Sequence, residues 1–228
     1  MRQTNLALAG ASPRWHDTIS TVPDLPLIVL ANEFFDALPV RQFVRRTGAW
    51  HERLVGLGDN GLAFGLSSAP IDATDLPAAE DGAVLERGEA GLAIMADIAS
   101  RIAGHGGGAV IIDYGHFGEG FGDTLQAVAG HAFVDPLERP GEADLTAHVD
   151  FAALVRVAEA NGAGADLMAT QADFLEALGI EARAEALKAR ATPAQRADID
   201  AAVARLTDRS TKGMGALFKV LAVRGGPV

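Results

Sequence analysis

Two unbroken runs of apolar residues, 26–31 and 109–112, stand out along the chain. Runs of this length are the pattern of strands buried on both faces, as in a parallel sheet covered by helices. Residues 217–223 read as the last strand and 165–169 as another. Elsewhere the period changes to three and four residues. Leu92, Met95, Ile98 and Ile102 form one apolar stripe, which predicts a helix over 84–102 facing the sheet. Asp150 is placed to cap a helix over 151–160, and Asn161-Gly162 ends it. Residues 171–206 read as helical, and Thr192-Pro193-Ala194-Gln195 combines a capping box with proline at the first helical position. Near the start, Gln3 to Ala9 reads as the end of a short helix and Arg14 to His16 as a brief strand.

Between Val40 and Leu66 short apolar and polar stretches are broken by Thr47-Gly48 and by Gly58-Asp59-Asn60-Gly61, the pattern of an antiparallel meander with tight turns. This stretch also holds the only literal dinucleotide fingerprint, Gly56-Leu57-Gly58-Asp59-Asn60-Gly61. Such a loop works by presenting phosphate to a helix N-terminus, and here an apparent strand follows it, so a hairpin turn is the better reading. The expectation is an α/β fold in a single domain over 1–228. Its sheet is mostly parallel with helices on both faces, and residues 40–67 form an antiparallel insertion.

Composition narrows the chemistry. With 49% apolar and 21% charged residues the chain is an ordinary globular one. A formal net charge of -11 repels phosphate backbones, so nucleic acid is not expected as a partner and a basic protein or peptide is. The absence of cysteine excludes disulfides, thiolate metal sites and cysteine nucleophiles. No apolar run approaches a membrane span, and Met1 to Gly10 lacks the pattern of a secretory signal, which makes a cytoplasmic location the default expectation.

The most informative stretch is Asn32-Glu33-Phe34-Phe35-Asp36-Ala37-Leu38-Pro39, directly after the first buried run. Ligands of open α/β sheets bind at the carboxyl ends of strands, and Phe34, Phe35 and Leu38 would draw this loop inward. Glu33 or Asp36 could instead cap the following turn. Asp113-Tyr114-Gly115-His116 ends the second buried run at the same sheet edge, and Gly115, Gly118, Gly120 and Gly122 suggest a mobile loop over the site. Asp113 is either functional or a strand-end residue bonded to backbone. His116, His131 and His148 lack the helical spacing of a metal motif, so no metal is expected.

Residues 31–40, 111–116 and Gly141 to Phe151, followed by Met214 to Val220, occur in an order that resembles the MidA-type methyltransferases. That family includes the mitochondrial complex I assembly factor that methylates an arginine. The resemblance implies a partial Rossmann-like class I methyltransferase sheet, S-adenosyl-L-methionine as cofactor, and a protein substrate such as a complex I subunit. It places Asp17 near the adenine, although a solvent-exposed turn acid is the equal alternative. It places Asn32 at the cofactor, Glu33 and Asp36 as acids of the methyl-transfer pocket, and Asp113 and His116 beside them. Paired carboxylates suit an arginine acceptor, whose planar guanidinium stays charged and can be held bidentately. Family members carry a glycine-rich loop after the first strand and an acid after the second, and nothing before Arg14 supplies either. The chain is therefore expected to be the C-terminal part of a longer protein and to bind cofactor weakly alone, and its exposed sheet edge favours a homo-oligomer. Two other readings remain: an amide- or adenine-directed N-methyltransferase, and a non-catalytic module that binds an assembly partner.

Overall fold

In a computed structural model that describes residues 13–72, 75–118, 120–130 and 132–225, the apolar runs form the centre of one sheet. The helix expected over Gln3 to Ala9 lies outside the described residues. Its strands are β1 (Leu27–Asn32), β6 (Gly107–His116), β12 (Phe218–Gly225) and β11 (Ala163–Thr170), in the order β1-β6-β12-β11. β1 runs parallel to β6, while β12 is antiparallel to both of its neighbours, so β1, β6 and β11 share one direction. A reversed strand set between parallel ones, with helices packed on the sheet, is consistent with the class I methyltransferase-like fold.

Helices α1 (Glu89–His105) and α2 (Phe151–Ala160) cover one face. Met95, Ile98 and Ile102 of the expected stripe pack there with Ile111, Phe151, Leu154 and Leu221. Asp150 caps α2 by accepting the Ala153 N–H at 3.0 Å, as its position predicted. The opposite face at β1 is bare: Ile28 is 90% and Leu30 75% exposed. The expectation of a strand buried on both faces fails here, because these two side chains stay exposed while Val29 and Ala31 pack against the core.

The meander is β2 (Arg41–Arg46), β3 (Ala49–Gly58) and β4 (Gly61–Leu66), and Thr47 and Gly48 both take the positive φ of a tight hairpin turn. It gains a fourth strand, β5 (Val84–Arg87), paired with β2. The helix predicted from Val84 therefore begins only at Glu89. Leu85 is claimed by a small core with Phe43 and Trp50, which favours the extended form over helix for these residues. Arg14 to His16 is irregular rather than a strand. The sequence also hides a small sheet of β7 (Gln126–Ala129), β8 (Ala132–Val134) and β9 (Asp144–Thr146). The C-terminal helical region resolves into α3 (Gln171–Ala177), α4 (Ile180–Lys188) and α5 (Pro193–Leu206), the last with its full capping box, and α6 (Met214–Leu217) leads into β12.

The carboxyl end of β6 is completed by β10 (Val149–Asp150), whose Val149 lies opposite Gly115. A Cβ at Gly115 would sit 2.1 Å from the Val149 carbonyl oxygen, and backbone cannot yield as a flexible side chain can. Gly115→Ala is expected to lower stability by about 1–3 kcal/mol, read as a shift in the urea unfolding midpoint. An unchanged midpoint would show that β10 is not held against β6.

Candidate active site

The loop after β1 is built by hydrogen bonds that continue the sheet and then turn away from it. The Glu33 N–H donates to the Ile112 carbonyl at 3.0 Å, extending the β1–β6 ladder by one residue. Glu33 then adopts a left-handed backbone, φ 48°, which costs a non-glycine residue energy and persists only where surroundings hold it. The three residues that follow are gathered by Asp113. Its Oδ2 accepts the N–H groups of Phe34, Phe35 and Asp36 at 3.1, 3.0 and 3.2 Å, and its Oδ1 accepts the Tyr114 N–H at 3.1 Å. Phe35 is buried against α1 at Gly91, as an inward-drawing residue should be. Phe34 instead stays exposed, with its ring edge-on to that of Phe35.

The six residues singled out from the sequence fall into three places. Asp17, Asn32 and Glu33 line one open cavity of about 690 Å3, together with Val29, Phe34 and Ile94. Asn32 donates to Glu33 Oε1 at 3.2 Å, orienting that carboxylate. A cavity of this size suits a small-molecule ligand, and its mix of apolar wall and few polar groups is what such sites use. Asp36 and Asp113 lie beneath the loop instead, 4% and 0% exposed. The Glu33–Asp36 clamp that the resemblance implies is therefore not formed: one acid faces the cavity and the other faces inward. His116 makes a third place. Its Nδ1 lies in close contact with the Gly118 carbonyl and its ring packs beside Gly120, away from the cavity lining.

Electrostatics sharpens the division. Burial and the neighbouring Asp36 push Asp113 up to about 7, against the pull of the loop N–H groups. Burial and Asp36 also raise the Tyr114 phenol. Among the described residues Asp36 Oδ1 has no hydrogen-bond partner. His148 stands edge-on to Tyr114 at 5.8 Å and is lowered by burial. It lines a second cavity of about 330 Å3 with Phe35, Glu86 and Asp150.

The cavity residues not singled out from the sequence include His16, Thr18 and Asp97. Asp97 occupies a polar position between Ile94 and Ile98, and nothing in the periodicity of α1 marks that side as facing a cavity. The glycine segment after His116 was expected to be mobile, yet its far part is fastened. Gly122 N–H donates to the Val84 carbonyl, Asp123 accepts from Arg53 and Gln42, and Glu86 accepts from Thr124 and Leu125.

Residues 2–168 match the profile of a family described as "putative S-adenosyl-L-methionine-dependent methyltransferase". The chain is 36% identical over 234 residues to the mitochondrial protein arginine methyltransferase NDUFAF7 homolog of Drosophila melanogaster, covering 98% of this chain and 53% of that protein. It is 39% identical over 195 residues to mitochondrial NDUFAF7 of Danio rerio, covering 81% and 44%. A Burkholderia thailandensis structure with S-adenosyl-homocysteine bound superposes with a TM-score of 0.80 at 28% identity, covering 98% of this chain and 60% of that one. A native structure from the same organism gives 0.82 at 30% identity, covering 98% and 62%. The chain thus spans about half the length of the relatives it matches. The Drosophila and Danio relatives are named mitochondrial, which overturns the cytoplasmic location expected from the sequence.

Proposed function

The chain belongs to this S-adenosyl-L-methionine-dependent methyltransferase family, and on that premise we propose that the complete protein methylates an arginine nitrogen of a protein substrate. The observation that carries the proposal is the placement of Asn32 and Glu33 at the carboxyl end of β1, in the wall of the open cavity. Strand ends of open α/β sheets are where ligands bind.

The residues present fit part of a cofactor site. Phe34, Val29 and Ile94 offer apolar wall, and Asp17 and Asn32 offer polar contacts at separate points of the lining. Asp17 would meet the adenine and Asn32 the reactive end. S-adenosyl-L-methionine supplies an electrophilic methyl group when bound. The chain's own contribution is alignment and charge. Glu33 would hold the acceptor guanidinium through charge-assisted hydrogen bonds, fix the angle at which its nitrogen meets the methyl, and accept the proton released late in the reaction. The family resemblance directs the acceptor toward a respiratory complex I subunit.

The test is transfer of labelled methyl from S-adenosyl-L-methionine to arginine peptides, free adenine and glutamine peptides by the complete protein. Label on arginine is the expected result. Label confined to the amide or the base would replace arginine with the other acceptor class, and no label on any acceptor would favour a non-catalytic binding module.

A further inference from the structure

We infer that Asp113 is a positioning residue that never meets the substrate and instead holds Glu33 in its working orientation by gathering the N–H groups of Phe34, Phe35 and Asp36 onto one carboxylate oxygen. This rests on the reading of Glu33 as the acceptor-facing acid. Three successive N–H groups converging on one oxygen form an anion-binding nest made by the loop itself, and the anion is a side chain of the neighbouring strand. Asp113 is fully buried, so no contact with a substrate is open to it. Glu33 stands immediately before the three donors, in the left-handed conformation that turns the chain out of the strand. Loss of the nest removes what over-determines that strained residue. On its other side the loop is tied by the Ala147 N–H to the Asp36 carbonyl at 3.0 Å, so the carboxylate and the segment before β10 grip the same turn.

The nest needs an ionised carboxylate. Asp36 from the loop and Tyr114 from β6 crowd the same space. Lys219 lies opposite Asp113 on β12, but its ammonium is turned to the Leu217 and Ala216 carbonyls. His148 faces Tyr114. Among the described residues no cation therefore neutralises Asp113 directly, and burial with the neighbouring Asp36 pushes it up to about 7. Protonation replaces an acceptor by a donor and loosens the loop. Turnover should rise with pH through that range while cofactor affinity stays level.

Asp113→Asn keeps the shape and removes the charge; whichever way the amide turns, its NH2 faces an N–H donor. Amide hydrogen exchange reads the loop without any assay of activity. Exchange at Phe34, Phe35 and Asp36 is expected to quicken at least roughly tenfold while Ile111 and Val223 in the core keep their protection. Unchanged loop exchange would overturn the inference whatever the enzyme does. In the complete protein Asp113→Asn should lower kcat with little change in KM for cofactor and abolish the acid limb near 7, whereas Glu33→Gln should retain that limb. Asp36→Asn, which removes the adjacent like charge, should move the limb to lower pH. A limb that stays in place in both Asp variants would assign it to another group and end the role given to Asp113.

Discussion

Phe151→Ala is expected to cost about 3–5 kcal/mol of stability, the range for deleting a large buried aromatic. Phe151 is fully buried, opens α2, and belongs to the one core shared by α1, α2 and the sheet. Its ring fills space bounded by elements that cannot close in together. Val149 is fixed to β6 two residues earlier, and Asp150 fixes the start of the helix. The cavity therefore stays open and its cost is paid in full. For a domain of this size each kcal/mol moves Tm by about 2–4 °C, so a fall of roughly 6–20 °C is expected in a thermal melt. Phe133→Ala is the control: that ring is 77% exposed, and its loss should change stability by no more than about 0.5 kcal/mol. A Phe151→Ala protein melting with the wild type would mean that α2 is not seated on the sheet as described.

Glu33→Gln carries the largest expected effect on chemistry. The substitution keeps size and one acceptor oxygen and removes the charge. A hydrogen bond to a charged group contributes about 1.5–3 kcal/mol, which corresponds to roughly a ten- to 150-fold loss of methyl transfer in the complete protein. The lower part of that range is the better expectation if the cavity stays as open to solvent as it is here, since water screens the contact. Cofactor binding, measured by calorimetry, should change much less because the carboxylate is assigned to the acceptor. Asp36→Asn should affect the rate more mildly at high pH, being turned away from the cavity. Wild-type turnover by Glu33→Gln would leave the arginine assignment resting on relatives alone.

How much of this could be read from residues depended on how local each cause is. The Asp150 cap, the Thr192 capping box and the Thr47-Gly48 turn are decided within four residues, and all three stand where the sequence put them. Val84 to Arg87 was misread because its partner β2 lies some forty residues away, and four residues show too little alternation to tell strand from helix. The bare face of β1 could not be foreseen, since periodicity reports what a strand can bury and not whether anything arrives to cover it. At the site the strand end was legible and the side-chain directions were not. In a strand directions alternate, and the left-handed Glu33 breaks that alternation at the point where the acids begin. Its cause is Asp113, about eighty positions along the chain, which spacing within one motif cannot reveal.

That same distance governs the order in which the sheet can form as the chain is made. β6 is paired on one side by β1, about eighty residues earlier, and on the other by β12, about a hundred residues later. At roughly 5–20 residues per second a ribosome leaves β6 waiting about 5–20 s for its second neighbour. Through that interval the Val110-Ile111-Ile112 backbone presents an open apolar edge, the kind of surface that recruits other nascent strands. Yield in a cell should therefore depend on what shields β6 during synthesis, and slower translation of the stretch between β6 and β12 should lower the soluble fraction even though the finished protein is unchanged.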